Sequence, residues 1–211
     1  MNKNEVLKIL ETAAGIDKNF NVFGAAKHKY RLNDPIPVDF VRSAEEKYGF
    51  TLSEDYFRFI TEIGDGGAGE DYGLYSFKEY IMKDNPGYEK ERQCLKLPFD
   101  IRPMSDEDKE YSCLDPKYFD NNREKCFFDP RFCDDDHDGF INGYFVLGTR
   151  GCQYDYGLVI SGEHKGRVFD TDNEGTFTLL ADSFEEFYCN WLNKISDVDW
   201  LKRQIDFWTR H

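Results

Sequence analysis

The sequence predicts an α+β fold with a mainly antiparallel sheet flanked by helices. Apolar residues recur at helical spacing near both ends of the chain, whereas residues 143–181 hold short alternating runs separated by turn residues. The predicted order is helices, a strand, a long segment of little periodicity, further strands and closing helices, which is typical of α+β domains. With 211 residues, 40% of them hydrophobic and 17% aromatic, the chain suffices for one domain with a core, or for one domain plus an appendage.

Three helices are predicted in the first third of the chain. Residues 4–14 carry apolar side chains on one helical face. A second helix follows Pro37, which suits a first turn, and ends at Gly49. Ser53 is expected to cap the third helix, and Gly64 is expected to end it in a positive-φ conformation.

The stretch GDGGAG, residues 64–69, has the G-x-G-x-x-G spacing of a dinucleotide-binding loop. Such a loop must follow a strand and open a helix. Here the glycines follow a predicted helix and precede YGLYSF, residues 72–77, which alternates like a strand. The order is therefore reversed, which favours a helix-to-strand turn over a phosphate-binding loop.

Residues 84–140 form an acidic, cysteine-containing segment with little periodicity. They hold 16 acidic and 9 basic residues and four of the six cysteines. A long segment of this kind inside a domain is expected to be either a functional insertion or poorly ordered.

Strands and helices are predicted again after this insertion. The runs GYFVLGT (143–149) and TFTLLA (176–181) read as strands, and DYGLVISG and RVFDTD read as a hairpin around the turn EHKG. Ser183 and Glu186 have capping-box spacing at the start of a helix that extends to about Ile195. A last helix is predicted from about Val198 to Trp208.

The charge of the chain restricts its partners. The net charge is −14 and the isoelectric point is about 4.7, so nucleic-acid phosphates and anionic membranes would repel the protein. If charge selects the partner, that partner is basic. The beginning of the sequence does not read as a signal peptide and no long apolar run follows, so we expect a cytoplasmic protein with free thiols.

Four stretches in order resemble the Smi–Knr family, also called the SUKH superfamily. IPVDFVRSAEEKYGFTLSEDYFRFITEIGDGGAG resembles the opening of the family, and GYFVLGT, LVISGEHKGRVFD and LADSFEEFYCNWL resemble its strand, hairpin and closing helix. The resemblance covers about residues 35–195, so we divide the chain into an N-terminal helix and extension (1–34), a SUKH-like domain (35–195) and a C-terminal helix (196–211). Ser53 and Phe169 stand where the family usually has Pro and Trp, and both keep the physical role.

The resemblance implies a binding domain without enzymatic activity. Bacterial members are mostly immunity proteins that neutralise a toxin domain, often a nuclease or deaminase, and fungal relatives regulate cell-wall and glucan synthesis. The family has no shared catalytic residues to transfer to this chain. Gly66 and Gly67 match the family's glycine pair as turn formers.

Two metal hypotheses stay open beside this interpretation. In DDDHDGFIN, residues 134–142, Asp134, Asp136 and Asp138 occupy positions 1, 3 and 5 of a calcium loop, but Phe145 at position 12 cannot act as a ligand. The alternative is a solvated acidic loop or a docking patch for a basic partner. A zinc site with the spacing C-x12-C-x6-C-x3-H would use Cys113, Cys126, Cys133 and His137.

We predict no cofactor and no catalytic site, since no histidine stands in a recognisable nucleophile context. Negative charge is concentrated in residues 36–195, where it would steer a basic toxin domain, or simply keep the protein soluble. A regulatory scaffold and a metal-dependent module are the alternative functions. The predicted partner-binding residues are Asp65, Glu70, Asp71, Asp134, Asp135, Asp136, Tyr154, Asp155 and Tyr156.

Overall fold

The structure is a computed structural model that describes residues 1–112, 114–134, 136 and 139–210. In this part of the chain it contains nine α-helices and six β-strands, and the α+β prediction is confirmed. The helices are α1 (Lys3–Ile16), α2 (Ala25–His28), α3 (Val38–Tyr48), α4 (Glu54–Arg58), α5 (Phe77–Met82), α6 (Pro86–Cys94), α7 (Pro116–Asn121), α8 (Phe184–Ser196) and α9 (Val198–Arg210). The strands are β1 (Arg102–Pro103), β2 (Cys126–Phe128), β3 (Tyr144–Gly151), β4 (Tyr154–Val159), β5 (Val168–Thr171) and β6 (Thr176–Ala181).

The six strands form one sheet in the order β1-β2-β6-β5-β4-β3, and each neighbouring pair is antiparallel. The chain divides into two compact units. The first unit comprises residues 1–44, 54–83 and 184–211 and is helical, while the second comprises residues 45–53 and 84–183 and contains the whole sheet.

The sheet buries apolar side chains on both faces. Successive strand residues point to opposite faces, so Phe127 lies on one face and Cys126 and Phe128 lie on the other. Phe127 packs against a first apolar cluster, which includes Phe99 and Phe169, whereas Cys126 and Phe128 belong to a second apolar cluster. Because apolar side chains cover both faces, the sequences of the strands are rich in aromatic residues and do not simply alternate between polar and apolar residues.

The described part of the acidic insertion contributes two short strands to the sheet, together with short helices and turns. Residues 126–128 pair with β6, and residues 102–103 pair with residues 126–128 in turn. Its helices and 3₁₀ turns are only three to nine residues long. Elements this short carry too few apolar repeats to produce a periodic signal, which explains why the sequence pattern did not reveal them.

Two local predictions around the glycine turn are wrong. The helix ends in a π-helical turn, Phe59–Ile63, which is closed by a hydrogen bond from the N–H of Gly64 to the carbonyl of Phe59. Gly64 itself is extended, with φ −177°. The predicted strand 72–77 is reduced to a single bridge between Leu74 and Gly67, and α5 begins at Phe77.

A buried carboxylate sets the start of α5 and so ends the extended run. Asp65, which is 2% exposed, accepts hydrogen bonds from the hydroxyl of Ser76 (2.6 Å) and from the N–H groups of Phe77 (2.8 Å) and Lys78 (3.1 Å). Gly66 and Gly67 do have positive φ, 82° and 97°. Among the glycines of this turn, Gly66 and Gly67 therefore adopt the left-handed conformation, and Gly64 does not.

Gly67 sits where no side chain fits. It bridges to both Leu32 and Leu74, and a Cβ at this position would lie 2.4 Å from the carbonyl oxygen of Arg31. Gly15, inside α1, is a contrasting glycine because nothing lies within 4 Å of a Cβ placed there.

We predict that Gly67→Ala lowers the free energy of unfolding by at least about 2 kcal/mol. An alanine here would be strained in the left-handed conformation, and its Cβ would also clash with the carbonyl oxygen of Arg31. Gly15→Ala is the control and should leave stability unchanged or raise it by up to about 1 kcal/mol, since alanine is the better helix former. Urea unfolding measures both. Equal effects of the two substitutions would contradict the account of the turn.

His28 is held as a neutral ring in the first unit. Its Nδ1 accepts a hydrogen bond from the N–H of Tyr30 (3.0 Å), and its ring meets Trp191 edge to face at 5.9 Å. Burial lowers the pKa of His28 to about 4, and the nearby Asp17 only partly opposes this effect. The unfolded chain therefore binds a proton at this position more readily than the folded chain does.

We predict that acid destabilises the protein in part through His28. As the pH falls from about 6.5 towards 4, the unfolded state gains the proton first, so the free energy of unfolding declines across this window. His28→Asn keeps an acceptor for the Tyr30 N–H but does not titrate. Its plot of unfolding free energy against pH should be flatter than that of the wild type, and parallel plots would refute the assignment.

Candidate partner-binding surface

Two strand connections meet at one end of the sheet. The β3–β4 turn and the β5–β6 turn are neighbours because Asp155 pairs with Thr171. The side-chain amide of Asn173 donates to the backbone carbonyl of Gln153 (2.8 Å) and to the carboxylate of Asp155 (3.1 Å). The amide of Gln153 in turn donates to Glu174 (3.2 Å), so the two turns are held together by side-chain hydrogen bonds.

The β5–β6 turn is organised by a buried carboxylate. Asp172 is 3% exposed and accepts hydrogen bonds from the N–H groups of Glu174 (2.9 Å) and Thr176 (3.0 Å). Gly175 has φ 98°, and a Cβ there would lie 2.8 Å from the Cβ of Phe132. The 3₁₀ turn Pro130–Cys133 therefore packs closely against the β5–β6 turn.

An open cavity of about 440 Å³ lies at this place. It is lined by Glu110, Tyr111, Ser112, Phe132, Asn173 and Glu174. Asp134 follows Phe132 by two residues, and Asp155 binds Asn173, so both carboxylates belong to the same region. We call this region the acidic sheet end and define it by Glu110, Asp134, Asp155 and Glu174, together with the aromatic residues Tyr111 and Phe132.

Three arginines of this unit are neutralised by internal partners. Arg102 binds Asp108 through both terminal nitrogens, at 2.6 and 2.8 Å, and this pairing lowers the pKa of Asp108 to about 2. Asp129 is fully buried and binds the guanidinium of Arg131, and Asp170 binds Arg150 at 2.7 Å. These three cations are already engaged by carboxylates of their own unit, so they offset little of the negative charge of the acidic sheet end.

The structure brings together some of the residues that the sequence predicted as a contact surface. Asp134 is exposed and accepts from the N–H of Asp136, which is exposed as well. Tyr154 and Asp155 begin β4 and are half-buried, whereas Tyr156 is 1% exposed and faces the interior. We therefore remove Tyr156 from the surface. Asp135 lies outside the described residues.

The other three predicted contact residues belong to the first unit. Asp65 is buried and caps α5 as described above, and burial raises its pKa. Its carboxylate is not presented to a partner, so we remove it from the surface too. Glu70 forms an ion pair with Lys194 at 3.0 Å, and Asp71 has φ 48° in the turn that follows the glycines.

Neither metal hypothesis can be followed to its full ligand set. Asp138 of the calcium set and Cys113 and His137 of the zinc set lie outside the described residues. Among the residues that the structure does describe, no three His, Cys, Asp or Glu side chains are arranged to hold a metal ion. Cys126 is fully buried in the second apolar cluster, and burial raises the pKa of its thiol.

Sequence reasoning missed Glu110, Tyr111, Phe132 and Glu174 as site residues. The stretch DNEG before β6 is a turn signal that could have drawn attention to Glu174. Glu110 and Tyr111 carry no such signal, because only the tertiary fold brings the 3₁₀ turn Glu107–Tyr111 beside residues 173–174.

Comparison with known proteins assigns the chain to a family. Within the described ranges no helix is both long and apolar enough to cross a membrane. No curated protein and no solved structure matches the chain. A model described as SMI1 / KNR4 family (SUKH-1) matches residues 35–190, which is well over half of the 211 residues and confirms the resemblance seen in the sequence. The chain therefore belongs to the SMI1/KNR4 family (SUKH-1).

Proposed function

We propose that the protein is a non-catalytic immunity protein, which binds a basic toxin domain in the cytoplasm and occludes its active site. The observation that carries this proposal is the acidic sheet end, where Glu110 and Glu174 line an open cavity and two further carboxylates lie in the same region. Arg102 and Arg150 of the same unit are paired with internal carboxylates. Family membership supports it, because immunity proteins are the bacterial members that the resemblance implies.

Electrostatics explains how such a surface selects its partner. A single-signed field of carboxylates accelerates the approach of a basic protein and repels acidic ones. A toxin that acts on nucleic acid must itself present a basic cleft to phosphate groups. The carboxylates of the acidic sheet end can occupy that cleft in place of the phosphates.

The described histidines support a binding role over a catalytic one. His28 is neutral, with Nδ1 accepting from Tyr30. His164 contacts Arg167 at 3.1 Å, and burial followed by the Arg167 charge lowers its pKa. Both rings are engaged in contacts that stabilise turns, so neither is assigned a chemical step.

The proposal is tested by capture of partners on the tagged chain from its native host, with identification by mass spectrometry. One stoichiometric partner with a basic toxin domain supports it, and co-expression should then rescue growth from that toxin. A set of housekeeping proteins would instead favour a regulatory scaffold, as in the fungal relatives. Retention of the captured toxin's activity in the complex would contradict neutralisation.

We predict that the triple change of Glu110, Asp134 and Glu174 to Lys weakens binding of that partner by more than about tenfold and flattens its dependence on salt. All three residues are exposed, so folding should be preserved. The control changes three exposed acids of the same unit, Asp84, Glu124 and Glu163, to Lys and so alters the net charge equally. Equal weakening by both triples, measured by calorimetry at several salt concentrations, would show that only net charge matters.

A further inference from the structure

We propose that the cavity of the acidic sheet end binds one arginine side chain that the partner presents. This inference deepens the proposed function and rests on it, since it names the chemical group that the surface recognises. It depends on three properties of the cavity, namely its aromatic walls, its carboxylates and the absence of basic side chains among the described residues that line it.

Two aromatic rings supply the apolar walls. Tyr111 is 48% exposed, and its ring lies 6.3 Å from that of Phe128, which belongs to the second apolar cluster. Phe132 packs against the first apolar cluster and is fixed by its close approach to Gly175. Because each ring packs against apolar residues of the protein, a flat cation can stack on it with little loss of side-chain freedom.

Two carboxylates supply the charge. Glu110 and Glu174 are both exposed at the cavity. The hydroxyl of Tyr111 donates to Glu110, which raises the pKa of that hydroxyl. Glu174 accepts from the amide of Gln153, yet an ionised carboxylate has about four acceptor positions and can take further donors.

The combination of rings and carboxylates favours arginine over lysine. A guanidinium group is planar, stacks on aromatic faces and donates two parallel hydrogen bonds to a carboxylate, whereas an ammonium group acts as a point charge. The cavity of about 440 Å³ is within the range of small-ligand sites, so a long side chain can enter it together with water.

The chain uses the same combination twice for its own arginines. Arg102 lies over the ring of Phe128 at 5.7 Å and binds Asp108. Arg123 lies over the ring of Phe119 at 4.8 Å and binds Asp106 at 2.7 Å. Among the described residues that line the cavity, two are aromatic and two are carboxylates but none is basic, so the arginine is supplied by another molecule.

The test is a titration of the full, isotope-labelled chain with L-arginine amide, followed by backbone amide chemical shifts. We expect a dissociation constant on the order of millimolar, as for a small fragment, with shifts at residues 110–112, 132 and 173–174. Citrulline amide has the same shape but a neutral urea group in place of the guanidinium and should not bind, and lysine amide should bind more weakly. Equal shifts with citrulline amide, or shifts spread over all acidic residues, would overturn the inference.

Variants separate stacking from charge. Tyr111→Leu and Glu174→Gln should each weaken binding of arginine amide by roughly threefold to tenfold, because one removes a stacking face and the other a charge. Tyr111→Phe retains the ring and should bind like the wild type, and Glu163→Gln is the matched control for charge. Unchanged affinity in both Tyr111→Leu and Glu174→Gln would overturn the inference.

The inference and the proposed function fail in different experiments. If the chain captures and neutralises a basic toxin but does not bind arginine amide, the cavity inference is overturned and the immunity function stands. If arginine amide binds at the cavity but no toxin is captured, the recognition of arginine is supported and the immunity function is not.

Discussion

The buried carboxylate of Asp172 shapes the surface on which the functional proposal depends. By accepting the N–H groups of Glu174 and Thr176, it fixes a turn that places Glu174 at the cavity and Gly175 against Phe132. A carboxylate that is 3% exposed is costly to bury unless it is hydrogen-bonded, so the turn and the charge stabilise each other. The exposed Glu174 is thus positioned by a buried acid.

The same principle, a buried acid that organises backbone, recurs in the first unit. Asp65 accepts two backbone N–H groups and one hydroxyl at the start of α5, just after the glycine turn. Asp65 and Asp172 are thus buried acids that serve the fold, whereas our functional proposal rests on exposed acids. Acidic composition alone does not distinguish the two classes, and this is why a surface chosen from the sequence included Asp65.

Local signals in the sequence were sufficient for most elements but not for the site. Gly49, with φ 73°, follows α3 as predicted, because a helix end needs only a few neighbouring residues. The strand expected at 72–77 failed because a distant residue in the chain, Asp65, captures the N–H groups of Phe77 and Lys78. Glu110 and Glu174 line the same cavity although they are 64 positions apart in the sequence. A periodic sequence pattern predicts local structure and not contacts between such distant residues.

The most direct test of the central claim is hydrogen–deuterium exchange of the chain, free and in complex with the partner that it captures. If the acidic sheet end is the contact surface, protection should appear at residues 110–112, 132–134 and 172–174. Protection confined to the first unit, with these segments exchanging as in the free protein, would contradict the account.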